Sequence, residues 1–482
     1  MSLSGALYNA FSGLKANSRA AGLVSTNIAN ATTEGYGRRT LGLVPGAIGT
    51  TGGVRISGTI RHSDPVLTGD RLVSDAHLGN AGVKYAFASR IEGLVGTSGT
   101  AGSLTDRLNT FENSLLTASS NPASTQRLEL VANSADALAK ALNNLSDEVQ
   151  TARQSADTSI ATLVGGLNTT LARLDKLNDN IVAARSTGSE DASFYDERQR
   201  LLDDIAEVVP LRIVEREKGD IAIFTRGGAV LLDGSPIKIG FESSFAIGPG
   251  MTLNGGQLNG LTLNGTPVDT NGMVLFSGGS LAAQFEIRDI DAVESQSQLD
   301  GIARDLIERL GPGGPDTTLA ATDPGLFTDA GLSFDPVLET GIAGRIELNS
   351  LVAPGSGAAW RLRDGLGAAS QGEVGDARLL QSISTALNTS TIPSSGGLSS
   401  VSKNFANHIS EFSSTASGDR VRAENGQTFV SIQNTALKEL ELSKGVDTDQ
   451  ELQTLMQIEQ HYTANAQVMS TIDDMLARLM SI

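Results

Sequence analysis

Small and apolar side chains recur at helical spacing at both ends of this chain. Over residues 1–31 they come three or four positions apart, and residues 447–482 repeat the pattern. One asparagine interrupts each series. Two narrow apolar stripes of this kind allow two helices to pack along each other. The residues of this predicted terminal seam are Leu3, Leu7, Leu14, Asn17, Val24, Ile28, Leu455, Ile458, Tyr462, Asn465, Met469, Ile472, Leu476 and Leu479.

The charges of the two terminal segments favour their pairing. The segment 1–33 carries only the cations Lys15 and Arg19, whereas residues 447–482 carry six carboxylates and one arginine. Exposed ion pairs between such helices contribute only ~0.2–1 kcal/mol each. The pair Thr448 and Glu451 has the spacing of a capping box and predicts where the last helix begins. The alternative is two unrelated amphipathic surface helices.

The middle of the chain predicts a long helical shaft. From Leu128 the apolar positions alternate in steps of three and four as far as Ile181. A single helix over 125–185 would be ~90 Å long at 1.5 Å per residue. The alternative is two stacked helices with a turn at Gly165-Gly166. Further helices are predicted at 281–310, at 398–416, and in a last shaft helix that carries Phe429, Ile432, Leu437 and Leu440.

Three segments between these helices have the composition of turns and short strands. Residues 38–62 and 211–280 alternate β-like runs with glycine, and 312–375 are rich in glycine, proline and aspartate. Asn-Gly recurs every five residues at Asn254, Asn259 and Asn264, and this dipeptide favours tight hairpin turns. A calcium-binding repeat would require regularly placed aspartates, which are missing here.

The predicted fold class is α+β: an elongated multi-domain chain with paired terminal helices, a helical shaft from both chain halves, and β-rich outer insertions. The expected organisation is an N-terminal helix (1–37), a short β excursion (38–62), shaft (75–210), β-rich insertion (211–280), helical return (281–311), irregular insertion (312–375), shaft (376–446) and C-terminal helix (447–482).

Composition argues against several functional classes. The formal net charge of −18 disfavours nucleic acid, because phosphate binding needs clustered Lys and Arg. No apolar stretch reaches the ~18–20 residues that span a bilayer, and residues 1–14 lack the basic start of a signal peptide. There is no cysteine, the four histidines are scattered, and no nucleophile elbow or phosphate loop occurs. We therefore predict no catalytic residues, no metal site and no cofactor.

Two motifs near the chain ends resemble those of a known family. The first is Asn27-Ile28-Ala29-Asn30 followed by Gly35-Tyr36, and the second is Gln460-His461-Tyr462-Thr463-Ala464-Asn465-Ala466. Both resemble the terminal signatures of bacterial flagellar rod, hook and hook-associated proteins. The resemblance implies a structural subunit whose terminal helices face the inside of a tube and stack on neighbouring subunits.

Interior blocks resemble the members of this family that lie between hook and filament. They are the helix around Arg198, the hairpin after Pro210, and the run that ends at Arg288. The implied partners are copies of this chain, the hook protein, a second junction protein and an export chaperone. Export through the flagellar type III apparatus would place the chain outside the cell without a cleavable signal. The alternatives are a hook or distal rod subunit and, more distantly, a surface adhesin.

The terminal seam contains much alanine and some asparagine, so that it buries little apolar surface. Ordering a backbone costs ~1–2 kcal/mol per residue. We therefore expect residues 1–35 and 447–482 to be mobile in the free chain and to fold on assembly. Asn17 and Asn465 are expected to set the register of the helices, together or with neighbouring subunits, as buried asparagines do in coiled coils.

Overall fold

The computed structural model describes residues 3–33, 35–46, 52–96, 99–187, 191–268 and 274–480. Parts of the predicted segments 1–37, 38–62, 75–210, 211–280 and 447–482 therefore lie outside the described residues. The helices are α1 (Leu3–Ala29), α2 (Pro65–Val95), α3 (Leu104–Ser120), α4 (Thr125–Thr187), α5 (Ala192–Ala206), α6 (Ser280–Glu286), α7 (Ala292–Arg309), α8 (Arg361–Asp364), α9 (Arg378–Asn388), α10 (Phe405–Ser443) and α11 (Thr448–Met480).

Helix α4 is the axis of the shaft. It is one helix of 63 residues, or ~95 Å at 1.5 Å per residue. The single long helix is thus confirmed, and the alternative turn at Gly165-Gly166 is wrong. Along one part of its length α4 forms a core with α3, α7, α9 and the start of α10. Further along, a second core joins α4 to α5, α6 and a small sheet.

Within the described ranges, the strands form four small antiparallel sheets beside the helices. They are β1 (Arg39–Pro45) with β2 (Val54–Arg61), β3 (Leu211–Glu215) with β4 (Ile221–Thr225) and β5 (Val230–Leu232), β6 (Ile239–Gly240) with β7 (Thr262–Leu263) and β8 (Thr266–Pro267), and β9 (Phe327–Asp329) with β10 (Ile346–Leu348). Asn264 and Gly265, both at positive φ, form the two-residue turn between β7 and β8. The predicted α+β class with paired terminal helices is confirmed.

The last shaft helix, α10, carries Phe429, Ile432 and Leu440 as predicted, but these residues do not pack in a core. Their side chains are 69%, 66% and 46% exposed. Helix α10 instead contacts α2 through polar groups, including a 2.7 Å hydrogen bond from Asn434 Nδ2 to Asp75 Oδ1. Helical periodicity identifies an apolar face but not the element that covers it. In the part of the chain that the structure describes, no helix is both long and apolar enough to cross a membrane.

Replacing Gly165 with alanine should stabilise the shaft. A Cβ atom there would meet nothing within 4 Å, and glycine inside a helix is about 0.5–1 kcal/mol less favourable than alanine. We expect the midpoint of urea unfolding, followed by circular dichroism at the helical band, to rise. The matched control is Gly79→Ala in α2, whose Cβ would lie 2.6 Å from the Glu207 carbonyl oxygen and which should lower the midpoint. A lower midpoint for Gly165→Ala would contradict a continuous, unstrained helix.

Candidate assembly site at the paired termini

Helices α1 and α11 pack against each other in an antiparallel arrangement. A Cβ atom on Gly13 would lie 2.8 Å from Asn465 Nδ2, and Asn27 Nδ2 donates to Glu451 Oε2 over 3.0 Å. Between these two contacts α1 runs forward from residue 13 to 27, and α11 runs back from residue 465 to 451, so both helices move by the same number of positions. This register places Asn17 level with residue 461, one helical turn from Asn465. The two asparagines therefore do not face each other, and Asn465 faces the smallest residue of α1.

The intramolecular seam is narrow and unevenly buried. On α1 the buried apolar side chains are Ala10, Ala16 and Val24, and on α11 Ile472 is the buried one among the described apolar residues. Tyr462, at 48% exposure, lies largely outside the contact. The other predicted seam residues are half-buried (Leu3, Leu7, Leu14, Asn17, Ile28, Leu455, Ile458, Asn465 and Met469) or exposed (Leu476 and Leu479). Their role in assembly stays a prediction.

The first motif forms a buried hydrogen-bonded centre around Asn27. Its Nδ2 donates to the Arg39 carbonyl (2.8 Å) and to Glu451 (3.0 Å), and its Oδ1 accepts from Tyr36 Oη (2.8 Å) and the Arg39 amide (3.0 Å). The side chain is fully buried and uses both donors and both acceptors of its amide. Burial raises the pKa of the Tyr36 hydroxyl, so this group stays protonated as a donor. Asn27 thus joins α1, β1 and α11.

Other motif residues shape the chain between α1 and β1. Asn30 Nδ2 donates to the Thr26 carbonyl over 2.9 Å at the end of the helix. Gly35 has φ +76°, and a Cβ there would lie 3.1 Å from Arg200 Cγ and 3.2 Å from the Asp196 carbonyl oxygen. Both the positive φ and the close approach of α5 therefore favour glycine. Ile28 is half-buried and Ala29 is exposed, at the last turn of α1.

A second centre at Asp196 fastens the terminal segment to the shaft. The Asp196 carboxylate, on α5, pairs with Arg39 and accepts hydrogen bonds from Arg61 Nε (2.8 Å) and the Gly37 amide (3.1 Å). Arg61 also donates to the Gly35 carbonyl over 2.9 Å. These side chains are only 13–17% exposed. The open end of the β1–β2 hairpin, where Arg39 of β1 lies opposite Arg61 of β2, is therefore bound to one carboxylate of the shaft.

Glu451 differs from its predicted role. The predicted capping box is wrong, since Asp447 Oδ1 accepts from the amides of Asp449 (3.0 Å) and Gln450 (3.1 Å) at the start of α11. Glu451 is 1% exposed, and its carboxylate binds Asn27 and Arg38, the latter at 2.6 Å. The sequence does not predict this partnership, or the positions of Arg39 and Arg61, because each contact joins distant parts of the chain. The one local signal was an acidic residue close to the first turn of a predicted helix.

The two interior arginines of the family pattern also bind across elements. Arg198 Nη1 donates to the Gly219 carbonyl over 2.7 Å and stacks on Tyr195, joining α5 to the β3–β4 hairpin. Arg288 forms a fully buried ion pair with Asp157 of α4 at 2.6 Å. On the same α5, Glu197 pairs with Arg173 and Arg200. Glu197 therefore makes ion pairs within the shaft, whereas Asp196 pairs with the β1–β2 hairpin and Arg198 donates to a carbonyl.

The outward faces of the terminal pair carry large apolar side chains. Tyr8 and Phe11 of α1 are 57% and 59% exposed, and Met456 and Met475 of α11 are 57% and 49% exposed. Lys15 follows Phe11 by four residues, on the same face of α1. Among the described residues, no group of three carboxylate or histidine side chains is placed to hold a metal ion.

Comparisons with known proteins find similarity to flagellar proteins. The model of the flagellar hook-associated protein FlgK helical domain matches residues 88–311, and that of the flagellar basal body rod FlgEFG protein C-terminal segment matches 442–482. Flagellar hook-associated protein 1 of Bacillus subtilis is 26% identical over 235 residues, 46% of each chain. Its counterpart in Salmonella typhimurium is 25% identical over 244 residues, 49% of this chain and 44% of the relative.

A solved structure, described as that of the flagellar hook junction protein FlgK from Burkholderia pseudomallei, has a TM-score of 0.45 and 16% identity, covering 54% of this chain and 46% of that chain. This chain spans slightly less than half the length of the curated relatives it matches. The resemblance to hook-associated protein 1 is confirmed by the family models and the curated relatives.

Replacing Asp196 with asparagine should loosen the terminal segment while leaving the shaft folded. The substitution keeps the shape but leaves Arg39 and Arg61 half-buried without their carboxylate, and breaking such a pair costs about 3–5 kcal/mol. Hydrogen exchange in residues 35–61 should become faster, with α4 unchanged. The matched control is Glu197→Gln on the same helix, whose pairs are more exposed and contribute below about 1 kcal/mol. Equal exchange in both variants would argue against the anchoring role of Asp196.

Proposed function

We propose that this chain, a relative of flagellar hook-associated protein 1, is a structural subunit of the bacterial flagellum that joins the hook to the filament. The observation that carries the proposal is the antiparallel pair of terminal helices, which Asn27 joins to the β1–β2 hairpin and which that hairpin fastens to Asp196 of the long helical shaft. The family matches support the proposal for the shaft and for the terminal pair. The match over 88–311 covers most of the shaft, and the match over 442–482 covers α11.

The terminal pair is the part of the subunit that packs on its neighbours. Its outward faces expose Tyr8, Phe11, Met456 and Met475, and exposed apolar patches of this kind mark interaction surfaces. Helix α1 carries the cations and α11 most of the carboxylates of the pair. Contacts between different faces of identical subunits do not close into a dimer but build helical assemblies. A tube of stacked subunits follows from such contacts.

The buried ion pairs give the subunit a fixed shape for this lattice. A helical tube requires every copy to present its terminal pair at the same angle to its shaft. Asp196 binds both strands of the hairpin and Glu451 binds the first motif, so the orientation is set by directional hydrogen bonds. We propose an inner domain from 1–37 and 447–482, a shaft from 75–210, 281–311 and 376–446, and outer insertions at 211–280 and 312–375.

The proposed partners follow from the proposed position of the subunit between hook and filament. We propose copies of this chain, the hook protein, the second junction protein and an export chaperone, with export to the cell exterior through the flagellar apparatus. The role is structural, and no reaction is assigned. A hook or rod subunit is the second candidate, because the C-terminal match is to a rod-protein model. The longer match to the FlgK helical domain favours the junction.

Deleting the gene should test the junction role. A strain without this chain should retain hooks, lose filaments and release flagellin into the medium, as seen by electron microscopy and immunoblotting. Loss of hooks would support the rod or hook role, and normal filaments would contradict both.

Complementation with Asn465→Leu should restore helix content but not filaments. Leucine is apolar and would press on Gly13, where Asn465 now packs, and so shift the register of α1 on α11. The corresponding prediction holds for Asn17→Leu. The matched control is Asn133→Leu, the same change on an exposed position of α4, which should restore filaments. Full motility of both terminal variants would remove the register hypothesis.

The terminal pair should be much less protected in the free chain than in the assembly. Only a few side chains of α1 and α11 are buried, whereas ordering each residue costs ~1–2 kcal/mol. In the isolated chain we expect rapid hydrogen exchange and early proteolysis at residues 1–35 and 447–482, with slow exchange in α4. In sheared hook–filament preparations the same segments should be protected. Slow exchange of both helices in the free chain would contradict folding on assembly.

A further inference from the structure

One aromatic side chain of the outer insertion is completely exposed to solvent. Phe245 lies in the loop between β6 and β7 and has a relative exposure of 104%. The loop around it is held on both sides. Ser244 donates its amide to Asp157 Oδ2 (2.7 Å) and accepts from Gln154 (2.9 Å), while Ile247 is buried. Phe245 is therefore presented by a fixed backbone.

The charged side chains that fix this backbone are buried, and their burial costs folding free energy. Asp157 and Arg288 are fully buried and Arg153 is 1% exposed. Arg153 donates to the carbonyls of Gly248 (3.1 Å) and Met251 (2.6 Å). Burying charged groups costs several kcal/mol each before pairing. Most of the contacts that this cluster makes outside the shaft serve the loop that carries Phe245.

The same insertion also contains an apolar groove. It has a volume of about 550 Å³, and its lining includes Phe241, Leu253, Leu258, Leu261, Pro267 and Val268. Phe245 does not line this groove. An exposed aromatic side chain and an apolar groove at a different place on the same molecule are the two complementary surfaces that a heterologous contact requires.

The charge distribution selects a second copy as the occupant. The chain has a net charge of −18, so its copies repel each other. Yet no Asp, Glu, Lys or Arg occurs between Glu242 and Asp269, the stretch that carries Phe245 and most of the groove lining. Glu242 is the one charged residue in the groove lining, and the loop that carries Phe245 brings no charge to it, so two copies can approach here without placing like charges face to face.

We propose that Phe245 of one subunit inserts into the groove formed by residues 240–268 of the neighbouring subunit. The contact is heterologous, so each copy offers both halves and the contacts continue from copy to copy. A rigid aromatic anchor in an apolar pocket is a common centre of binding energy, and the fixed loop lowers the entropy lost on docking. This inference rests on the proposed self-assembly and adds an outer contact to the inner one.

Cysteine cross-linking tests the contact directly, because the chain has no cysteine of its own. Ala246→Cys marks the loop and Pro267→Cys marks the groove, and the two single variants are co-produced in bacteria that lack the native gene. After oxidation of isolated flagella, we expect a cross-linked dimer with both variants together and little with either alone. Adding Phe245→Ala to the loop variant should lower the yield about tenfold, as expected when a hot-spot aromatic is removed.

The matched control is Leu116→Ala, which removes an exposed apolar side chain of α3 (69% exposed) and should leave the yield unchanged. Filaments without the dimer, or a yield insensitive to Phe245→Ala, would overturn the contact while the junction role stands. If the deletion strain has normal filaments, the junction role fails, and the same pair is then oxidised in the concentrated purified chain. A dimer there supports the contact between copies, and its absence overturns it.

Discussion

A single buried amide, that of Asn27, holds together three segments that are far apart in the sequence. It binds the backbone of β1, the hydroxyl of Tyr36 and the carboxylate of Glu451 in α11. An amide buried without these partners would cost about 1–3 kcal/mol for each unsatisfied group. The three segments must therefore arrive together, and the first turns of α11 cannot dock in another register without losing this centre.

Directional polar contacts are needed here because the apolar seam is weak. Alanine, glycine and half-buried leucines make most of the contact between α1 and α11, and such a surface tolerates sliding. The carboxylates of Asp196 and Glu451 add contacts that exist at one geometry only. Replacing buried ion pairs by apolar residues often raises stability. Their value in this chain lies in orienting the terminal pair on the shaft.

Much of the fold was predictable from local pattern, and much of the site was not. The 63-residue helix followed from an unbroken series of apolar positions, and the cost of Gly165-Gly166, about 1 kcal/mol each, is small beside its buried face. The exposure of Phe429 was not predictable, because periodicity shows an apolar face without identifying the element that covers it. Asn27, Gly35 and Tyr36 were found through their motif. Their partners Asp196 and Glu451 could not be, since those contacts join positions in widely separated parts of the chain.

The terminal pair and the outer insertion differ in the charges that they carry. In the proposed assembly, cations on α1 and carboxylates on α11 of the terminal pair allow unlike faces of neighbouring copies to attract. In the outer insertion, the stretch between Glu242 and Asp269 has no charge to pair or to repel. Salt screens the first kind of contact and leaves the second nearly unchanged. An acidic subunit that uses both can stay apart from its copies in dilute solution and still pack closely once its ends are placed side by side.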